Sequence, residues 1–294
     1  MIKDIALALE VRGSRDAALD YAISVAAAFN AHLAAVSFAY EPMLPVVDMG
    51  GAVPFELIDE EREANQKAAA DAVARFEEAA RLAAVSAEAR VIEASIAGAP
   101  QVFGAIARSF DLSIIGQADP QSTRDDIMIE GALFDSGRPV LVVPYIQRAA
   151  LKLDRVIVCW DGSLNAARAV NDALPFLTRA QAVDVVTIDT KEDKTGEIKG
   201  VDIAHHIARH GLKVELRRIN AGDVDVANVI LSDVADRDVD LIVMGGYGHS
   251  RLREFVLGGA TRGILSSMIV PVALNDYHAF AVAVTFLNWI FNAT

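Results

Sequence analysis

Short apolar runs alternate with stretches of helical spacing along the whole chain. The clearest series begins at "RVIVCW", a β-branched run that reads as a buried strand. Asp161, Gly162 and Ser163 follow as turn and N-cap residues. In "LNAARAVNDALPFL", Ala167, Val170, Leu174 and Leu177 recur at helical spacing. The series continues as strand "AVDVVTID", helix "IKGVDIAHHIARHG", strand "LKVELRRI", helix "DVANVILSDVADR", strand "VDLIVMG", helix "ATRGILSSM" and strand "IVPVAL". Strands alternating with helices imply right-handed crossovers and a parallel sheet covered on both faces.

The pattern occurs twice. "DLSIIGQADP" (111–120) resembles "DLIVMGGYGH" (240–249), and "RPVLVVPY" (138–145) matches "VPVALNDY" (270–277) in position. "KDIALALEVRGS" and "LDRVIVCWDGS" open the two halves alike. The chain reads as a tandem duplication joined near residues 146–153. The first half carries a longer excursion after its second strand, "EPMLPVVDMGGAVPFELIDEE", which leads into the Ala-rich helix "EANQKAAADAVARFEEAARLAA".

Composition narrows the classes. The chain has 294 residues, 53% of them hydrophobic and 23% charged, enough to build a real core. A formal net charge of -13 argues against a nucleic-acid partner held through a basic surface. It does not exclude a small anion held by backbone N–H groups. The single cysteine, Cys159, excludes an intrachain disulfide and fits a reducing, cytoplasmic setting. The opening reads as a strand rather than a secretory leader, and no membrane span is expected. "AFAVAVTFLNWIF" (279–291) is strongly apolar; an interface element, an interfacial membrane contact and an extension with no evolved role all remain open for it.

The stretch that carries chemistry is "GGYGHSRLREFVLGGATRG" (245–263). Gly245 and Gly248 would let backbone approach a ligand. Gly258 and Gly259 precede a helix whose first N–H groups have no intrahelical partner, so with the helix dipole they form an anion site suited to phosphate. Thr261 adds a hydroxyl. The competing motifs fail: no Walker-type loop occurs, and the glycines follow the fourth strand of the unit, where a dinucleotide fingerprint follows the first. On glycines alone, a surface loop with helix caps remains the alternative.

The spacing bears on this choice. Gly245-x-x-Gly248, nine residues, then Gly258 resembles the nucleotide loop of the universal stress protein family, and "VIVCWDGS" and "VPVAL" resemble that family's opening and closing strands. The resemblance covers both halves. It implies an α/β fold of two tandem five-stranded, mostly parallel sheets with helices on both faces, of the adenine nucleotide alpha-hydrolase type and related by a pseudo-twofold. It divides the chain into a domain over 1–147 with a degenerate loop, a domain over 152–276 with the glycine loop, and an apolar extension over 277–294.

The halves are expected to pair through their last strands, and the chain to form a homodimer. The cofactor implied is ATP, with Mg2+ beside it. By position, Asp161 would contact ribose or the adenine end, and Trp160 and Ile188 would line the base pocket. Met244 and Gly245 would approach the nucleotide, and Gly248, Gly258 and Gly259 would give N–H groups to the phosphates. Two departures stand out. Gly259 occupies a Ser/Thr position of the pattern, with Thr261 two residues on. The first half keeps Gly116 but has Asp119 at the second glycine and Glu10 at the opening aspartate; a carboxylate there repels phosphate.

Other residues have plainer readings. Asp161 serves equally as a turn residue before the next helix, and His249 and Arg251 as a solvated loop face. His206 and His210 share a helix face, but no carboxylate or cysteine nearby completes a ligand set, so an exposed pair is expected. Cys159 is expected inside a strand as a small core residue. No nucleophile, base and orienting group assemble, so an enzyme would be at most a slow ATPase. The leading reading is a stress-response module that binds an adenine nucleotide in its second half. The alternative is a structural or interaction protein that acts through dimerisation.

Overall fold

The computed structural model describes residues 1–11, 15–42, 55–117, 127–189, 200–246 and 259–275. The first half supplies β1 (Asp4–Ala8), α1 (Ala17–Phe29), β2 (His32–Tyr40), α2 (Phe55–Leu82), β3 (Ala87–Ala94), α3 (Ala99–Ala107), β4 (Leu112–Gly116), α4 (Ile127–Ser136) and β5 (Val140–Val143). The second supplies β6 (Arg155–Cys159), α5 (Leu164–Leu177), β7 (Ala182–Asp189), α6 (Val201–Arg209), β8 (Val214–Asn220), α7 (Val226–Asp236), β9 (Leu241–Gly245), α8 (Gly259–Ser267) and β10 (Val272–Asn275). Both halves therefore repeat one strand–helix plan, as the duplicated sequence requires.

The two expected five-stranded sheets are the halves of one ten-stranded sheet, ordered β3-β2-β1-β4-β5-β10-β9-β6-β7-β8. Every neighbouring pair is parallel except β5 and β10, which run antiparallel with Val142 opposite Val272 and Val140 opposite Leu274. That junction is the pseudo-twofold: the last strands of the halves pair inside one chain. β5 and β10 are buried along their whole length, which accounts for the apolar run of β5 and of β10 up to Leu274.

Strand alternation divides the core between the two faces. Ile5, Leu7, Val156, Val158, Val183 and Val243 face α1, α2, α5 and α6. Ala6, Ile157, Val186, Ile242, Met244 and Leu274 face α3, α4, α7 and α8. Local chemistry fixes the helix starts. Asp16 caps α1 by accepting from the Leu19 N–H, and Ser163 caps α5 by accepting from the Ala166 N–H. The excursion after β2 is shorter than the Pro- and Gly-bearing sequence suggests, because α2 begins at Phe55. Glu56 and the run Asp59-Glu60-Glu61 fall within its first two turns, where carboxylates suit the positive end of the helix.

Candidate functional site

Within the second half the strand order is β10-β9-β6-β7-β8, and the order of winding reverses between the parallel neighbours β6 and β9. In open parallel sheets, ligands bind beyond the carboxyl ends of the strands at such a reversal. Trp160 and Asp161 leave β6 there and Met244 and Gly245 end β9 there, so the topology brings these four expected residues to one place.

Each has a definite local role. The Asp161 carboxylate accepts from the Ser163 N–H at 2.8 Å, and Gly162 between them has φ of 81°. This tight turn delivers Ser163 to the start of α5, so the turn reading of Asp161 is realised, on an exposed residue. The Trp160 N–H donates to the Val186 carbonyl at 2.8 Å, and its half-buried ring packs on the α5 face. Ile188 and Met244 pack on the opposite face, with α7 and α8. The site residues thus group as Ile188 with Met244, and Trp160 apart from them.

Gly245 is small for a reason the sequence did not reveal. A Cβ there would lie 2.8 Å from the Ala166 nitrogen and 2.9 Å from Asn165. The first turn of α5 rests directly on the end of β9, so what approaches this glycine is the protein's own helix. Gly259 is the reverse case. It opens α8, and among the described residues a Cβ on it would meet nothing within 4 Å. Thr261, in the same first turn, is only 2% exposed, so it belongs to the packed side of α8. Gly248 and Gly258, with His249 and Arg251, lie outside the described residues, as do Asp119 and the apolar stretch 279–291.

The electrostatics separate the halves. In the first half, Asp16 takes the place that Ser163 holds in the second. Its carboxylate accepts from the Glu10 N–H at 2.8 Å and the Leu19 N–H at 2.9 Å. Burial pushes the Asp16 carboxyl above its ordinary range, and those backbone N–H groups oppose the rise. The start of α1 therefore carries its own acid, where the start of α5 carries a neutral hydroxyl. Cys159, at the end of β6, has its thiol pushed up to about 12 by burial, with the Asp233 and Asp161 charges adding to it. That holds it as an inert thiol.

His206 and His210 pack edge to face, with ring centroids 5.1 Å apart. Among the described residues no three His, Cys, Asp or Glu side chains gather to hold a metal, and no helix is long and apolar enough to cross a membrane. A cleft of about 590 Å³ lies at the other end of the sheet, lined by Ile2, Phe29, Arg138, Leu174 and Arg179, away from these strand ends.

This doubly wound half has the adenine nucleotide alpha-hydrolase-like fold. Residues 152–274 match the model of the universal stress protein family, and through this half the chain is similar to that family. It is similar to a curated universal stress protein of Synechocystis, with 26% identity over 141 residues. That match covers 46% of this chain and 46% of that protein, about half the length of each. The fold likeness extends over both halves. A universal stress protein from Archaeoglobus fulgidus superposes with a TM-score of 0.68 at 18% identity, covering 93% of this chain and 98% of that one. A functionally unknown protein from Pseudomonas aeruginosa does so with a TM-score of 0.58 at 13% identity, covering 94% and 92%.

Proposed function

We propose that the second half binds ATP or a related adenine nucleotide, and that the chain works as a cytoplasmic stress-response module that senses it. The observation that carries this reading is the start of α8. Among the described residues nothing lies within 4 Å of where a Cβ on Gly259 would go, at the helix that follows the strand beside the reversal point. The first N–H groups of such a helix favour phosphate. Gly248 and Gly258 supply further N–H groups from the loop, Asp161 faces the ribose, and Ile188 and Met244 give the base an apolar wall. Mg2+ arrives bound to the triphosphate rather than to a protein ligand set. The first half, with Asp16 at its helix start and Asp119 in its loop, leaves phosphate unbound. The sequence supplies no nucleophile, base and orienting group, so binding is expected to outlast any hydrolysis.

Titration of the full chain with ATP in a calorimeter tests the reading. Heat that saturates, and that Gly248→Asp removes, is the expected result; no heat at millimolar ATP defeats it.

A second reading, an interaction protein acting through dimerisation, has its support in Gly245, whose free side is filled by α5. Because the last strands already pair within the chain, a homodimer needs another surface. Light scattering with and without residues 279–294 tests whether that stretch provides it.

A further inference from the structure

We propose that Gln117, in the half with the degenerate loop, is a positioning residue for the α8 anion site of the other half. The ligand named here rests on the nucleotide reading above; the mechanical part stands on contacts alone.

Gln117 follows Gly116 at the end of β4, and Gly246 follows Gly245 at the end of β9. The two positions correspond closely. The Gln117 N–H donates to the Val143 carbonyl of β5 at 2.7 Å, and the Gly246 N–H to the Asn275 carbonyl of β10 at 2.8 Å. At this equivalent point one half carries a long amide and the other carries no side chain.

The amide crosses the pseudo-twofold. Gln117 is 7% exposed. Its Nε2 donates to the Leu265 carbonyl at 2.7 Å, joining residues 148 positions apart. Its Oε1 accepts from the Tyr145 N–H at 3.3 Å. Leu265 lies in the last turn of α8, where carbonyls have no intrahelical partner. Gln117 fills one of these vacancies in a buried setting, where leaving it unmet costs the full desolvation of the group.

α8 has nine residues, so its start and its end move as one short rod. Its flank is set by close approach: a Cβ on Gly263 would come 2.7 Å from the Ala227 Cβ of α7. Ile264 and Leu265 are fully buried beneath it. The far end is held by Gln117. Fixing that end fixes where the N-terminal N–H groups point, which is what an anion site requires. The hold runs one way, because Gly246 has no side chain with which to reach the corresponding helix α4. The first half, poor in nucleotide chemistry, thereby serves as the mount for the helix that binds.

The variant Gln117→Met keeps length and bulk and loses both polar ends. In the full chain without nucleotide, amide hydrogen exchange over α8 should speed up relative to α7. ATP affinity should fall by about three- to tenfold, the loss expected for one buried hydrogen bond. Phe103→Leu, in the first-half core and away from α8, controls for general destabilisation and should leave ATP affinity unchanged. If Gln117→Met does not fold, Gln117→Asn shortens the reach and should act in the same direction. Unchanged α8 exchange overturns the positioning role, and so does wild-type ATP affinity in the variant or an equal loss in Phe103→Leu. A wild-type chain that binds no ATP overturns the nucleotide reading instead, and α8 exchange then still decides whether Gln117 holds the helix.

Discussion

Gly245 and Gly259 border the same loop, yet the structure gives them opposite demands. Gly245→Ala drives a methyl into the backbone of Asn165 and Ala166 at distances under 3 Å. Backbone in a capped first turn has little room to retreat, so about 1–3 kcal/mol of stability should be lost, as in overpacked cores. Urea denaturation would show this as a lower midpoint at constant slope; an unchanged midpoint would mean that α5 does not rest on β9. Gly259→Ser meets none of the described residues within 4 Å and should leave the midpoint unchanged. It also restores a hydroxyl donor beside the α8 amides, so ATP should bind more tightly in calorimetry. The sequence showed that small residues are needed here, through loop spacing, but not what each one faces. Only the fold shows that one glycine accommodates the protein and that the other meets none of the described residues.

At the scale of elements, the periodic segments were legible because their chemistry is local. Helix Leu164–Leu177 and strand Ala182–Asp189 have the limits that pattern and capping predict. Asp184 was not legible. It lies mid-strand in "AVDVVTID", where alternation alone does not say which face is covered. In the fold it is 1% exposed beneath α7. Arg155 grips both its carboxylate oxygens, at 3.0 and 2.8 Å, and Arg237 adds a contact at 3.3 Å. Arg217 is 3.9 Å away and is itself paired with Asp233. This cluster ties β6, β7, β8 and α7 together. Removing the central carboxylate leaves converging guanidinium groups uncompensated. Asp184→Asn should therefore cost about 3 kcal/mol, the low end for a broken buried pair, because Arg155 and Arg237 are partly solvated. Urea midpoints measure it; a loss under about 1 kcal/mol would mean that the cluster behaves as a surface pair.

The duplication was readable from the repeated segments "DLSIIG" and "DLIVMG", which became β4 and β9. Their assembly was not readable from periodicity, since the β5–β10 junction joins strands that are far apart in sequence. Side chains meeting across that junction decide whether the chain behaves as one unit or two. On the α1 and α5 face, Phe29 and Phe176 stack edge to face with centroids 5.1 Å apart. The Arg179 guanidinium lies over the Phe29 ring at 4.1 Å and donates to the Ala28 carbonyl. With a continuous sheet beneath and this aromatic clasp above, neither half can unfold without baring the other's core. Differential scanning calorimetry should give a single transition for the whole chain. Phe176→Ala, which empties a 2%-exposed site, should cost about 3–5 kcal/mol and lower that transition without splitting it. Two resolved peaks in the wild-type trace would mean that the halves are stable independently. In that case the mounting of α8 by the first half would have no thermodynamic basis.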